Sequence, residues 1–480
     1  MTRWASAALV RPYTALALSF LAWKTLLFLA ALGVVGPGYD TSTALARGGR
    51  SLWMSATATR GVADVVEDDH HHHDVGPAGW YAPRDLAYNL IRWDAIYFDA
   101  IARRGYLLEQ EWAFGWGHTQ LLALVATGLR KLVGARASSP WLEMNAGVVL
   151  AHVWHFLSVI VLYRLTESVF ALPPSSWLSF TAASLHIISP AGIFLSAPYA
   201  ESLFSFLSFA GLLLYTNALS FGKPHHSLRD LQFILAGIAF GLATSVRGNG
   251  LLYGLMFLYD VVTFLPNFLK GRVSVLDLRR LTFLVLGGTC IAMGTIVPQA
   301  IAYREYCMPP NGIAQTRPWC NRLIPSIFTW VQSHYWGVGF LGYWTLSNVP
   351  LFLLAAPMLS ILVYSTMTVF DSKIDAELQS LYAPDASKST PAQLKIQHAK
   401  AYLRRLALPQ IALAVLALTT YHVQIINRIS SGYALWYWWL ALSLKTDNAG
   451  KRRLSETIVR GMTMYATVQG VLFAGFLPPA

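Results

Sequence analysis

Several apolar runs, each long enough to cross a bilayer, constrain this chain more than any other feature. Residues 12–35 and 281–302 meet the roughly 20 residues that a hydrocarbon core about 30 Å thick requires. Inside such a core every backbone N–H and C=O must be bonded within the segment, so these runs are expected to be helices. Composition agrees, with 55% hydrophobic and 12% charged residues among 480; an ordinary soluble domain carries about 25% charged. The expected fold class is therefore an all-α polytopic membrane protein, with residues 1–480 as one membrane-embedded domain. The net charge of +12 is then a matter of loop placement. No basic-aromatic groove or zinc-ligand spacing points to nucleic acid. The first apolar run exceeds a signal-peptide core and has no clear cleavage site, so it is read as an anchor.

Basic residues orient the spans. Lys270, Arg272, Arg279 and Arg280 precede the run at 281–302 and mark a cytosolic loop. Residues 303–349 then form a lumenal loop, residues 371–405 a charged cytosolic linker, and Lys451-Arg452-Arg453 another basic turn. Counting gives about ten transmembrane helices, a cytosolic amino terminus, and lumenal amphipathic helices. Residues 36–84 read as a low-complexity lumenal insert. Its four histidines, His70 to His73, could hold a metal loosely, but consecutive residues do not converge from one rigid face. Residues 85–118 form the first lumenal loop. The region 170–265 can be threaded as full spans or as broken halves.

The stretch Arg92-Trp93-Asp94-Ala95-Ile96-Tyr97-Phe98 opens the first amphipathic helix. Trp93, Ile96, Tyr97, Ala100 and Ile101 share its apolar face, with Arg92, Asp99 and Arg103 off it. Asp99 and Arg103 make an i,i+4 pair, whereas Asp94 has no basic residue three or four positions downstream. Glu109 and Glu111 follow among aromatics. Carboxylates beside aromatic rings suit sugar handling: the carboxylate accepts a hydroxyl proton and the ring stacks on a pyranose face. An Asp in a first helical turn is equally a plain cap or dipole partner. Further along, 189–202 and 245–250 interrupt apolar regions with Pro, Gly, Glu201 and Arg247. That pattern suggests broken helices around a protein-lined cavity holding a polar group or an anionic ligand, the alternative being an ion pair made for packing. Lys24, inside the first span, is expected to face protein or a water cavity. Cys290 lies in an apolar run and reads as a buried thiol. Cys307 and Cys320 share one polar loop; they form a bridge if it faces an oxidising lumen, and are free thiols otherwise.

Beyond single positions, the chain resembles the GPI mannosyltransferase 2 family. The resemblance is carried by Arg92–Phe98, Gly105-Tyr106 and Glu109-Gln110-Glu111-Trp112-Ala113-Phe114, and later by Ser189-Pro190-Ala191 with Tyr199-Ala200-Glu201-Ser202. Val246-Arg247-Gly248-Asn249-Gly250, Tyr306-Cys307, Trp319-Cys320, the 335–341 run and His422-Val423-Gln424 continue it in order. The run Gly115-Trp116-Gly117-His118 looks fungal. The resemblance implies a type C glycosyltransferase fold and location in the endoplasmic reticulum membrane with a lumenal active site. It implies transfer of the second mannose, α1,6-linked, from dolichol-phosphate-mannose to the GPI precursor. Inversion at the anomeric carbon then needs one general base and no metal or other cofactor. Asp94 is the implied base and Trp93 shapes the acceptor side. Arg92 either neutralises Asp94 or binds headgroups. Arg247 and Arg304 are candidates for the donor phosphate, with Asn249 beside them. Glu201, Glu109 and Glu111 are further carboxylates for hydroxyls or for orienting Arg, and His334, His422 and Gln424 line the cavity. A small membrane partner subunit is compatible with this reading. The competing readings are another type C transferase using a dolichol-phosphate sugar, and a polytopic lipid or solute transporter.

Overall fold

A computed structural model of the chain describes residues 9–34, 89–133, 140–219, 226–308, 317–371, 374–382 and 390–477. The insert at 36–84 and its histidines lie outside the described residues. Every regular element among those described is helical. Eight helical segments are long and apolar enough to cross a membrane, among the described residues. They lie in α1 (Pro12–Leu32), α4 (Pro140–Val169), α6 (Glu201–Leu219), α7 (His226–Val246), α8 (Gly254–Leu269, with the turn before it), α9 (Val275–Cys307), α11 (Val349–Thr368) and α12 (Thr390–Thr419). The difference from about ten has a physical reason. Helices α5 (Trp177–Ile187) and α13 (Leu435–Lys445) have 11 residues each, too short at 1.5 Å per residue for a 30 Å core. Helix α14 (Ala449–Ala474) is long but opens with Lys451, Arg452, Arg453, Glu456 and Arg460.

The middle region resolves into one short helix, α5, and three helices long enough to span, separated by breaks. Helix α5 ends at Ile187, a short 3-10 turn occupies Gly192–Leu195, and α6 restarts at Glu201. A second break follows α7, where Gly248–Tyr253 forms another 3-10 turn. A third separates α12 from α13 through Val423–Ile425, Ile426–Ile429 and Ser430–Gly432. The first break is tied internally by Lys24, whose Nζ donates to Leu195 O at 2.9 Å and Ser196 Oγ at 2.8 Å. Lys24 thus faces protein, where its donors replace the water it has lost.

Helices α7 and α9 approach closely because small residues face each other. A Cβ added at Gly237 would lie 2.4 Å from Gly287 O, and one at Gly294 would lie 2.1 Å from Gly241 O. Without a side chain there, two helices of a membrane bundle can pack backbone to backbone. Cys290 sits at this contact half-buried, less enclosed than its apolar run suggests.

Ion pairs tie one end of the bundle. Arg405 reaches Asp260 at 2.6 Å, Arg279 meets Asp230 at 2.5 Å, and Lys400 holds Asp375 at 2.7 Å. Tyr382, in the 371–405 segment, donates to Phe170 O at 2.6 Å, and Lys451 pairs with Glu377. This is the end carrying the basic loops. Alternation of the helices, with the short α5 and α13 each counted as a pass, puts α2 (Asp94–Arg104), α3 (Trp116–Val133), α10 (Ile327–His334) and all three breaks toward the other end.

The α2 face differs from the expected one. Ala95, Phe98, Asp99, Ile101 and Ala102 are its buried side, while Ile96, Tyr97 and Ala100 are half-buried. Trp93 precedes the first helical residue. Asp99 does pair with Arg103, but inside the protein, and burial pushes its carboxyl up to about 6 against the pull of Arg103. Packing against α3 and α4 turns the helix so that this pair, with its charges matched, is enclosed.

Candidate active site

Asp94 stands at the first position of α2, where the helix dipole favours a carboxylate. Its side chain makes no cap; Oδ2 instead accepts from Arg428 Nη2 at 3.0 Å. Arg428 Nε lies 3.4 Å from Glu201 Oε1, and Arg247 Nη1 lies 2.7 Å from the same oxygen. Asp94, Arg428, Glu201 and Arg247 therefore form one continuous chain of alternating charge. Each member comes from a different interruption: the start of α2, the break before α13, the first turn of α6, and the break after α7. The three breaks meet at one level, which is why charges in separate apolar regions can neutralise one another.

Exposure grades along this chain. Glu201 is fully buried and Arg428 and Arg247 are each 15% exposed, whereas Asp94 is 35% exposed. Asp94 Oδ1 takes no hydrogen bond among the described residues, so the outer member presents a free carboxylate oxygen. Arg428 packs under two rings, with its Cζ 4.8 Å from the centre of Phe194 and 5.4 Å from that of Tyr199. Burial pulls its guanidinium down, but Asp94 and Glu201 carry it above the ordinary arginine value. Arg247 moves the other way: burial lowers it, Glu201 offsets only part, and Arg428 adds repulsion. Of the two cations, Arg247 is the less compensated.

The residues around Asp94 hold it under backbone strain. Trp93 has φ 54° and ψ −125°, a conformation that L side chains rarely adopt and that costs about 1–3 kcal/mol. Its ring lies 5.1 Å from Phe476. Arg92 is buried and directed away from Asp94, donating from Nε to Ala474 O at 3.3 Å and from Nη2 to Asn89 Oδ1 at 3.2 Å. Tyr199 Oη donates to the Arg92 carbonyl at 3.1 Å. Neutralising Asp94 falls to Arg428 instead.

Gly115 and Gly117 seat the first loop on the second break. A Cβ at Gly115 would stand 1.8 Å from Val246 O, and one at Gly117 would stand 2.3 Å from Ser245 Oγ. His118 follows, its Nε2 3.3 Å from Pro198 O. Burial lowers its imidazole to about 4, against the pull of the Pro198 carbonyl and with Arg247 lowering it further.

Other candidate residues are placed differently. Glu109 is committed to the second loop, accepting from Trp319 Nε1 at 2.6 Å, Trp330 Nε1 at 3.3 Å and Tyr335 Oη at 3.1 Å. Glu111 accepts from the Leu107 and Leu108 amides at 2.9 and 3.1 Å and pairs with Arg104. Both carboxylates are buried and accept from protein donors. Asn249 and Tyr433 bond each other through Nδ2 at 3.3 Å and through the Asn249 carbonyl at 3.1 Å. Arg304 is exposed in the last turn of α9, and His334 is exposed and stacked on Trp330 at 4.5 Å, neither joining the charged chain. His422 packs edge-on to Tyr343 at 4.9 Å; burial lowers its imidazole, with Asp94 pulling upward and Arg428 downward. Gln424 is in the adjoining turn, and its Oε1 is buried without a hydrogen bond. Cys307 and Cys320 are joined by a disulfide, with Cα atoms 5.7 Å apart. Among the described residues no three His, Cys, Asp or Glu side chains converge as a metal site would require.

Arg428 was not among the residues singled out from sequence. The signal is nonetheless there: Asn427-Arg428-Ile429-Ser430-Ser431-Gly432 puts a charge in a small-residue interruption between apolar runs. That is the same pattern that exposes Glu201 and Arg247.

Comparisons with known proteins add to this geometry. Residues 80–480 match the family model described as Mannosyltransferase (PIG-V). The GPI mannosyltransferase 2 of Aspergillus oryzae is 41% identical, covering 98% of this chain and 96% of its own. That of Chaetomium globosum is 43% identical with the same coverage, and that of Yarrowia lipolytica is 33% identical over 82% of this chain and 87% of its own. Among solved structures, the oligosaccharyltransferase of Archaeoglobus fulgidus is similar at 16% identity and a TM-score of 0.39, covering 80% of this chain. This chain spans about half of that protein, 48%. A match to the family model over residues 80–480, with relatives above 40% identical along nearly the whole length, shows that this chain belongs to the PIG-V mannosyltransferase family.

Proposed function

We propose that this protein transfers the second mannose of the GPI anchor, from dolichol-phosphate-mannose to the mannose already on the precursor glycolipid, forming an α1,6 bond. The reaction runs at the lumenal face of the endoplasmic reticulum membrane. The relatives bearing the GPI mannosyltransferase 2 name support the acceptor class. The observation that carries the mechanism is Asp94, a carboxylate with one oxygen held by Arg428 and the other open.

A β-linked donor giving an α-linked product requires inversion, and a single displacement does this with one base. Asp94 Oδ1 takes the proton of the acceptor 6-hydroxyl as its oxygen attacks the anomeric carbon. The bond from that carbon to the phosphate oxygen breaks, and dolichyl phosphate leaves with the electron pair. Arg428 fixes the carboxylate so that the free oxygen points outward. The departing phosphate needs positive charge rather than a protonating acid. Arg247, the less compensated guanidinium, supplies it. Trp93, half-buried beside Asp94, borders the acceptor side. This scheme has no metal-dependent step.

The test is which GPI intermediate accumulates in cells depleted of this protein, followed by in vitro transfer using dolichol-phosphate-mannose and membranes containing the protein. A precursor stopped at one mannose, extended to two on adding protein, is expected. Accumulation at any other stage would overturn the assignment.

A further inference from the structure

The loop between α9 and α11 exposes apolar side chains although it is firmly tethered. Leu323 is 99% exposed, Leu346 92%, Phe340 79% and Ile324 78%. These residues cannot simply fold inward. The Cys307–Cys320 disulfide closes one side of the loop, and Glu109 anchors Trp319, Trp330 and Tyr335 from below. Trp344 Nε1 bonds Leu418 O at 2.8 Å on the far side. Apolar surface held outward by so many ties marks an interaction face.

Charge and continuity indicate what covers it. Between Glu305 and Asp371 the sequence contains no acidic residue. The described part of the loop carries Arg317, 6.0 Å from the Tyr306 ring, and Arg322, 5.5 Å from the Trp330 ring, and neither has an ion pair among the described residues. Both ends of the loop run directly into membrane helices, α9 before it and α11 after it, whose own exposed faces include Ile296 and Leu353. Aromatic, aliphatic and cationic side chains without carboxylates are the composition of a bilayer interface, where rings sit at headgroup level and arginines meet phosphates.

We propose that this loop is a membrane wedge: Leu323, Ile324, Phe340 and Leu346 enter the acyl–headgroup boundary of the leaflet at the Asp94 end, and Arg317 and Arg322 contact phospholipid phosphates. The wedge fixes the level of the site in the bilayer. Trp336 meets the Phe114 ring at 6.4 Å, and Phe114 stacks on Tyr97 at 4.6 Å, one turn beyond Asp94. The opening beside Asp94 is thereby held at phospholipid-phosphate height. This inference does not depend on which sugar is transferred.

The experiment uses the full-length protein with Cys290→Ser and Leu323→Cys, labelled with an environment-sensitive nitrobenzoxadiazole and reconstituted alone into phosphatidylcholine vesicles containing phosphatidylserine. Quenching by doxyl-labelled lipid, with protection from aqueous iodide, is expected. Iodide quenching without lipid quenching would overturn the proposal, and so would protection from both, which would mean a protein surface covers the loop. Leu346→Cys provides a second position if the first variant is not recovered. Replacing Arg317 and Arg322 together by Glu should reduce lipid quenching in the phosphatidylserine vesicles; unchanged quenching would overturn the phosphate contact.

Discussion

Arg428 Nη2 reaches Asp94 Oδ2 at 3.0 Å across 334 residues of sequence, and the same guanidinium lies 3.4 Å from Glu201. One cation thus organises two carboxylates of different exposure, the open one set at a helix start and the enclosed one at a helix break. Removing Arg428 leaves Asp94 without its cation, and removing Glu201 leaves Arg247 without its carboxylate.

Asp94→Asn should leave the protein inserted in the membrane and remove mannosyl transfer. Loss of a positioned general base costs roughly 100- to 10,000-fold in rate. Transfer assayed in membranes with matched protein levels checks this, and near-normal turnover would refute the base assignment.

Arg428→Ala strands Asp94 and leaves Glu201 with Arg247 alone. Breaking a buried pair from one side costs about 3–5 kcal/mol, so a large drop in detergent unfolding temperature is expected. Arg428→Lys keeps the charge but presents one ammonium where two guanidinium nitrogens bridged two carboxylates. Its stability should recover partly while kcat stays low. If Lys restored full kcat, the orienting role would be lost.

Glu109→Ala removes the shared acceptor of Trp319, Trp330 and Tyr335. Hydrogen bonds to a charged group contribute about 1.5–3 kcal/mol each. The second loop should detach locally, seen as faster amide exchange in residues 317–340 with the transmembrane helices unchanged. Unchanged exchange there would show that the disulfide alone holds the loop.

His118 supplies a pH dependence whose sign is fixed by burial. Its folded value, about 4, lies below the ordinary 6.5, so the folded state prefers the neutral ring. The associated stability is fully present above about 6.5 and is lost as pH falls from there through about 4, by roughly 3 kcal/mol in all. His118→Gln keeps a donor near Pro198 O without titrating. Unfolding temperatures of the two proteins should diverge below pH 6.5, with the wild type falling faster; parallel curves would exclude His118 as the cause.

Alkylation of denatured, unreduced protein should modify one thiol per chain, Cys290. Three modified thiols would contradict the Cys307–Cys320 bridge.

Sequence by itself determined the all-α membrane class, because span length and apolar content are local and the bilayer tolerates only internally bonded backbone. It also located two of the three breaks, since Pro, Gly and charge within apolar runs are visible residue by residue. It showed that Asp94 lacks a partner within its own helix, because such pairs fall three or four positions apart. Tertiary structure decided everything that depends on which breaks meet. Arg428, rather than Arg92, neutralises Asp94; Glu109 accepts from Trp319, 210 residues away; Asp99 turns inward with Arg103. The Asp94–Arg92–Trp93 cluster was legible as a constellation but not as a geometry, because the side chains that complete a buried charge chain are chosen by helix packing across the whole bundle. The stretch around Asp94 therefore announces a carboxylate without a local partner in the sequence, and only the convergence of three distant interruptions supplies the cation that pairs with it.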